Sequence, residues 1–160
     1  MTRILFVCLG NICRSPLAEA IFKREIGRVR LQGEFDAESC GTANYHVGDP
    51  PDPRTILNAS KNGTAIRHIG RQFELADFDL FDMILPMDTS NRTNLLRLPG
   101  AENHRHKIRL MRMYDPQDRG ADVPDPYNGN EQDFQEVFDI LDRSVKNLVA
   151  SLTAGGKENS

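Results

Sequence analysis

An apolar run, Ile4-Leu5-Phe6-Val7, leads into Cys8-Leu9-Gly10-Asn11-Ile12-Cys13-Arg14-Ser15, and Pro16 then opens a helical pattern. The segment reads as a strand, a tight loop and a helix start, with a thiol at one end of the loop and a guanidinium at the other. The rest of the chain keeps that alternation. Strands are expected over Arg3–Cys8, Phe35–Ser39, Phe81–Leu85 and Lys107–Leu110. Helices are expected over Pro16–Val29, with Pro16 at the first helical position, and over Pro53–Asn62, Ser90–Leu98 and Glu131–Leu152. Phe134, Val137, Phe138, Leu141, Val145, Leu148 and Leu152 mark the apolar face of the last helix. Gly41–Asp52 and Asp115–Asn130 are loops rich in Gly, Pro and Asp. The alternation implies an α/β fold, a parallel sheet with helices on both faces. Ligands of such sheets bind beyond the carboxyl ends of the strands, where Cys8 stands.

The Cys8–Ser15 loop suits a tetrahedral oxyanion such as phosphate or sulfate. A loop that curls before a helix points consecutive backbone N–H groups inward, so Leu9, Gly10, Asn11, Ile12, Cys13, Arg14 and Ser15 can all face the anion. The helix N-terminus adds roughly half a positive charge. Gly10 permits a backbone conformation closed to other residues, and Asn11 tolerates a left-handed one. Arg14 offers a planar fork to two oxygens at once. The same field favours the thiolate of Cys8, and Ser15 can donate to that sulfur. Such a loop presents a sulfur nucleophile to a bound phosphate. The competing reading, a small buried core cysteine at a strand end, accounts for Cys8 alone and not for the combination.

Release of an aryl oxygen needs a proton, which a carboxylic acid on a loop can supply and later recover from water. Asp115-Pro116 and Asp125-Pro126 compete for the part, and either could be an ordinary turn. Asp125 is favoured by its neighbour Tyr127. Asp122 is expected to be solvated, as is the basic cluster of Arg105, Lys107, Arg109 and Arg112. Tyr45 and Tyr127, with Leu9 and Ile12, can wall a phenyl ring, although loop packing would also explain the two tyrosines. Cys40 reads as core. Cys13 has two readings. It packs beneath the loop, or it traps an oxidised Cys8 as a disulfide, the curl bringing the pair within range.

The chain has 160 residues, a net charge of −3 and only three cysteines. It is long enough to bury a core without disulfides, and two of the cysteines fall in the loop, so a reducing cytoplasm is expected. The charge argues against nucleic acid, and no stretch is long enough to cross a membrane. Residues 1–153 are expected to form one domain, with a polar, disordered tail over 154–160.

Val7-Cys8-Leu9-Gly10-Asn11-Ile12-Cys13-Arg14-Ser15-Pro16 resembles the signature loop of the low-molecular-weight protein tyrosine phosphatases. Gly41-Thr42-Ala43-Asn44-Tyr45, Met87-Asp88-Thr89-Ser90-Asn91 and Asp125-Pro126-Tyr127 resemble three further blocks, the last being the family's acid loop. The resemblance runs from Ile4 to about Leu152. It implies a flavodoxin-like fold with four parallel strands, and hydrolysis of phosphotyrosine in proteins, or of a small aryl phosphate, through a phosphocysteine intermediate. Cys8 is then the nucleophile, Arg14 the phosphate fork and Asp125 the general acid and base. Ser39, His68 and Asp88 match positions that support the loop by hydrogen bonds, and Asp88 can also cap the helix after it. No cofactor and no metal are expected, and the protein is expected to be a monomer. Asn128 departs from the family's tyrosine pair and bears on substrate preference. Two related activities compete. Arsenate reduction needs relay cysteines, and none follows Cys40; phosphoarginine phosphatases carry threonine where Ile12 stands. A silent phosphate-binding module is the alternative outside enzymes, but Cys8, Arg14 and Asp125 are all present.

Overall fold

The computed structural model describes residues 1–158, with side chains through residue 154. Strand β1 (Thr2–Cys8) is the centre of a parallel sheet, between β2 (Phe35–Gly41) and β3 (Met83–Pro86). The helices are α1 (Arg14–Arg28), α2 (Pro53–Lys61), α3 (Asp77–Leu80), α4 (Thr89–Leu96) and α5 (Glu131–Glu158). Because β1 is the central strand, its side chains alternate between two separate cores. Ile4, Phe6 and Cys8 pack with Leu17, Ile21 and Phe22 of α1 and with Val137, Leu141, Val145 and Leu148 of α5. Leu5 and Val7 pack on the opposite face with Phe73, Phe78, Phe81, Ile84 and Leu95. A register slip of one residue would exchange the two sets and carry Cys8 to the wrong face. Burial on both sides therefore fixes where the cysteine points.

The sheet has three laddered strands, not four. The segment expected as the fourth is reduced to one parallel bridge, Ile84 to Ile108, with the Arg109 N–H donating to the Ile84 carbonyl at 3.0 Å. Short 3₁₀ turns at Arg105–Lys107 and Met111–Tyr114 close in from both sides and leave no length for a ladder. Helix α1 begins at Arg14, so Pro16 falls inside the first turn and not at its first position. A proline is tolerated there because the first-turn N–H groups have no helical partner anyway. Helix α3 was not expected; it occupies the approach to β3, whose start moves to Met83. Helix α5 continues past Leu152 to Glu158, and residues 159–160 of the expected disordered tail lie outside those described.

Asp52 caps α2 by accepting from the Arg54 N–H at 2.9 Å, with Pro53 at the first helical position. Asp88 caps α4 in the same way through the Asn91 N–H at 2.7 Å. The basic cluster is not uniformly solvated. Arg112 is buried, donating through Nε to Asp115 at 2.9 Å and through Nη1 to the Asp122 carbonyl at 2.8 Å. Lys107 reaches the Phe78 carbonyl at 2.7 Å, while Arg105 and Arg109 are exposed.

Candidate active site

β1 ends at Cys8, and the chain curls through Leu9–Cys13 into α1. The residue that takes the left-handed conformation is Asn11, at φ 57°; Gly10 does not. Gly10 matters for space instead, since a Cβ there would lie 3.1 Å from Cδ2 of His46. Gly41, at the end of β2, is more strictly required. A Cβ at Gly41 would come 2.6 Å from the Leu9 carbonyl oxygen. That close approach lets Thr42 and Ala43 donate their N–H groups to the Cys8 and Leu9 carbonyls, at 2.9 and 3.0 Å. The loop is thus clamped from outside through its carbonyls.

Cys8 Sγ receives the Asn11 N–H at 3.2 Å and lies 2.9 Å from Ser15 Oγ. Asn11 Nδ2 donates to Ser15 Oγ at 2.8 Å and to Ser39 Oγ at 3.1 Å. Ser15 is therefore occupied as an acceptor and can donate its hydroxyl proton to the sulfur. Asn11 Oδ1 accepts from the Arg71 N–H at 3.0 Å and meets His68 Nε2 at 2.6 Å. That partner requires the proton on Nε2, and burial pushes the His68 imidazole down from its ordinary value, towards the neutral form. Ser39 and His68 thus reach the loop through Asn11, the residue whose backbone is left-handed.

Arg14 is buried, and its guanidinium is fixed from behind. Nη1 donates to Asp88 Oδ2 at 2.7 Å and to the Val123 carbonyl at 3.0 Å. Burial opposes its charge, but Cys8, Asp88 and Asp125 outweigh burial and push the Arg14 value up. Asp88 therefore does two jobs, capping α4 and orienting Arg14. Nη2 lies 3.7 Å from Asp125 Oδ2, so the Asp125 carboxylate stands beside the guanidinium without a tight bond. Asp125 is half exposed and accepts from the Tyr127 N–H at 3.1 Å.

Asp115 is placed differently. It is fully buried, and Arg143, the Gln117 N–H and Arg112 all donate to it. Burial alone would raise its carboxyl; the donors hold it well below the usual carboxylate range. It anchors the loop and does not line the pocket. Asp122 is exposed as expected, but it is not free, accepting from the Thr89 N–H and hydroxyl at 2.9 and 2.8 Å.

Cys8, Leu9, Ile12, Arg14, Asp125, Tyr45 and Tyr127 all line one cavity of about 320 Å³. Tyr45 is 70% exposed and Tyr127 48%, which fits walls at a pocket mouth better than packed loop residues. Sequence reasoning missed two neighbours. His46 lines the same cavity and pairs through Nδ1 with Asp49 at 3.2 Å. Arg54 places its guanidinium 5.4 Å from the centre of the Tyr127 ring while binding Asp52 through Nε and Nη2. The only sequence signal for Arg54 is its position in the first turn after Asp52-Pro53. Cys13 also lines the cavity, and burial pushes its thiol up to about 12. Cys40 is buried in the core. All three cysteines are free thiols. No cluster of metal-ligating side chains and no helix long and apolar enough to cross a membrane occurs among the described residues.

The arrangement combines a sulfur under two donors, a helix N-terminus, a tethered guanidinium and an accessible carboxyl in one aromatic-walled cavity. Its chemistry is nucleophilic displacement on a tetrahedral anion. Comparison with known proteins agrees. The family model described as low molecular weight phosphotyrosine protein phosphatase matches residues 3–158. The low molecular weight phosphotyrosine protein phosphatase of Schizosaccharomyces pombe is 40% identical over 151 residues, 94% of this chain and 96% of the relative. That of Gallus gallus is 42% identical over 144 residues, 89% of this chain and 90% of the relative. The crystal structure of a protein tyrosine phosphatase from Entamoeba histolytica with Hepes in the active site superimposes with a TM-score of 0.92. The two are 39% identical, and the match covers 98% of this chain and 99% of that one. On its fold, its site and its relatives, this chain belongs to the low molecular weight phosphotyrosine protein phosphatase family.

Proposed function

We propose that this protein hydrolyses phosphotyrosine in proteins through a phosphocysteine intermediate on Cys8. The observation that carries the reading is the convergence of Cys8, Arg14 and Asp125 in a cavity walled by Tyr45 and Tyr127. The loop N–H groups and Arg14 bind the three non-bridging phosphate oxygens. The Cys8 thiolate attacks phosphorus, and an S–P bond forms as the bond to the phenolic oxygen breaks. Asp125 gives its proton to that oxygen, so tyrosine leaves neutral. A water then attacks the phosphocysteine, Asp125 takes the water's proton, and the S–P bond breaks to release phosphate. Ser15 and the Asn11 N–H stabilise the sulfur whenever it carries charge. General acid–base help of this kind contributes about 10²- to 10⁴-fold.

Ile12 in the cavity supports an aryl substrate over phosphoarginine, because it offers apolar contact and no hydroxyl. One chain supplies every group of the site, so a monomer suffices, and free thiols suit a cytoplasmic setting. We further propose that Cys13 protects the nucleophile. Peroxide converts the Cys8 thiolate to a sulfenic acid, and the Cys13 thiol displaces water from it to form a disulfide.

The test is Cys8→Ser. Phosphotyrosine turnover should be abolished, while phosphate still binds by isothermal titration. Acid quench of the wild-type enzyme with an aryl phosphate should trap phosphate on Cys8. Wild-type-like turnover in Cys8→Ser would refute the mechanism. Arg14→Lys should be severely impaired as well, since an ammonium cannot reproduce the fork.

A further inference from the structure

A second cavity, of about 250 Å³, lies beside the first, between α2 and the start of α5. Its apolar surface comes from Leu57, 58% exposed, and from Phe134. Arg54, Asn58, Lys61 and Glu131 form its polar edge, and each already has a partner. Arg54 is bound to Asp52 and also lies over the rings of Tyr127 and Phe134, with 4.6 Å to the latter. Lys61 binds Glu131 at 2.9 Å, and Asn58 Nδ2 donates to Gln135 at 2.9 Å. Each cation at the edge already has its counter-ion, so the edge carries no unbalanced charge to select a charged ligand. The surface left without a partner is apolar, and its gain on burial is the ordinary hydrophobic one.

The wall between the two cavities is thin. Tyr127 lines the cavity of Cys8, Arg54 lines the second, and 5.4 Å separates the guanidinium carbon from the ring centre. An extended peptide advances about 3.3 Å per residue, and alternate side chains share a face. Two residues therefore span about 6.6 Å. That step is comparable with the 5.4 Å between the two side chains that divide the cavities, and it returns a side chain to the same face.

We propose that the second cavity receives an apolar side chain, of leucine or phenylalanine size, two residues from the phosphotyrosine of a protein substrate. The inference rests on the phosphotyrosine reading and narrows its substrate class. Arg54 is then the divider between the two subsites. It holds Tyr127 against the phosphotyrosine ring on one side and bounds the apolar pocket on the other.

The experiment compares kcat/KM for phosphotyrosine peptides with alanine, leucine or glutamate two residues before or two after the phosphotyrosine, with a small aryl phosphate run alongside. Leucine at one of the two positions should exceed alanine by about three- to tenfold. In Leu57→Glu the leucine-to-alanine ratio should fall to near one. The ratio is taken within one preparation, so it does not depend on how much variant folds. A ratio near one at both positions in the wild type, a leucine preference kept in Leu57→Glu, or a larger gain from glutamate would each overturn the inference while leaving the phosphatase reading intact. No turnover of any peptide or of the aryl phosphate would overturn both.

Discussion

Two aspartates followed by proline look alike in the sequence, and the fold gives them opposite surroundings. Asp125 is half exposed, with Arg14 at 3.7 Å and one backbone donor. Asp115 is sealed under two arginines and the Gln117 N–H. Of the two, only Asp125 lines the Cys8 cavity and is exposed, which is why the proposed mechanism gives it the proton. Asp125→Asn should therefore slow hydrolysis of tyrosine-like leaving groups by about 10²-fold or more. It should matter little for activated phenols, so the slope of log kcat against leaving-group pKa should steepen. Should Asp115→Asn steepen that slope instead, the assignment is reversed. Cys13 is the other residue whose environment decides its part. Its thiol, pushed up to about 12, keeps its proton at neutral pH and so resists direct attack by peroxide. Its place in the cavity of Cys8, and not its acidity, makes it the candidate to resolve an oxidised Cys8, and the same shift slows that attack. Wild-type activity lost to peroxide should return with dithiothreitol. Cys13→Ser should be active before treatment and recover poorly after it, and mass spectrometry of the oxidised wild type should find Cys8 joined to Cys13. A Cys8–Cys40 link, or equal recovery in the variant, would leave Cys13 as packing alone.

At the scale of elements, the loop carrying Asp125 is held at its base, and Asp125 and Tyr127 are exposed at its tip. Arg112 donates to the Asp122 carbonyl, Val123 donates its N–H to the Met87 carbonyl at 2.9 Å, and Arg14 binds the Val123 carbonyl. Arg143 of α5 reaches Asp115 at 2.8 Å and ties the same loop to the last helix. Removing one partner from such a buried cluster costs about 3 kcal/mol. Asp115→Asn should be destabilised by about that much in urea unfolding at pH 7. The pH dependence follows from the direction of the shift. The Asp115 carboxyl is lower in the folded than in the unfolded chain, where it titrates near 4. Its contribution is complete above pH 4 and is lost as the pH falls towards the folded value. Wild-type stability should thus decline below about pH 4, and more gently in Asp115→Asn. An identical acid slope in the two proteins would show that the cluster does not titrate with unfolding.

For the molecule as a whole, what the sequence disclosed tracks the range of the interaction. The strand of Ile4–Val7, the helix from Pro53 and the apolar stripe of α5 are local patterns, and the structure forms each of them. The Cys8–Ser15 loop was legible because sulfur, turn residues, guanidinium and helix start are contiguous. The joining of Asp88 and Val123 to Arg14 spans 74 and 109 positions, and no local pattern carries it. Asp88 was found only through resemblance. Arg112 read as solvated because one of the carboxylates it helps to bury shares its other side with Arg143, far along the chain. Lys107–Leu110 has the composition of a strand, but flanking 3₁₀ turns shorten it to a bridge. His46 was missed because its role depends on the space left by Gly10.

The central place of β1 has a consequence for how the site opens. Ile4, Leu5, Phe6 and Val7 have no exposed surface, and both cores and both neighbouring strands rest on them. Their amides should be among the last in the molecule to exchange with deuterated solvent, close to the limit of global unfolding. The tip of the loop around Asp125 and Tyr127 is exposed and should exchange early. On the proposed mechanism, the half of the site that attacks is mounted on the part of the protein expected to open last, and the half that delivers the proton on a part expected to open first. Partial opening would then disarm proton delivery while leaving the sulfur and its anion cradle assembled, so a locally opened molecule could still hold phosphate without turning over.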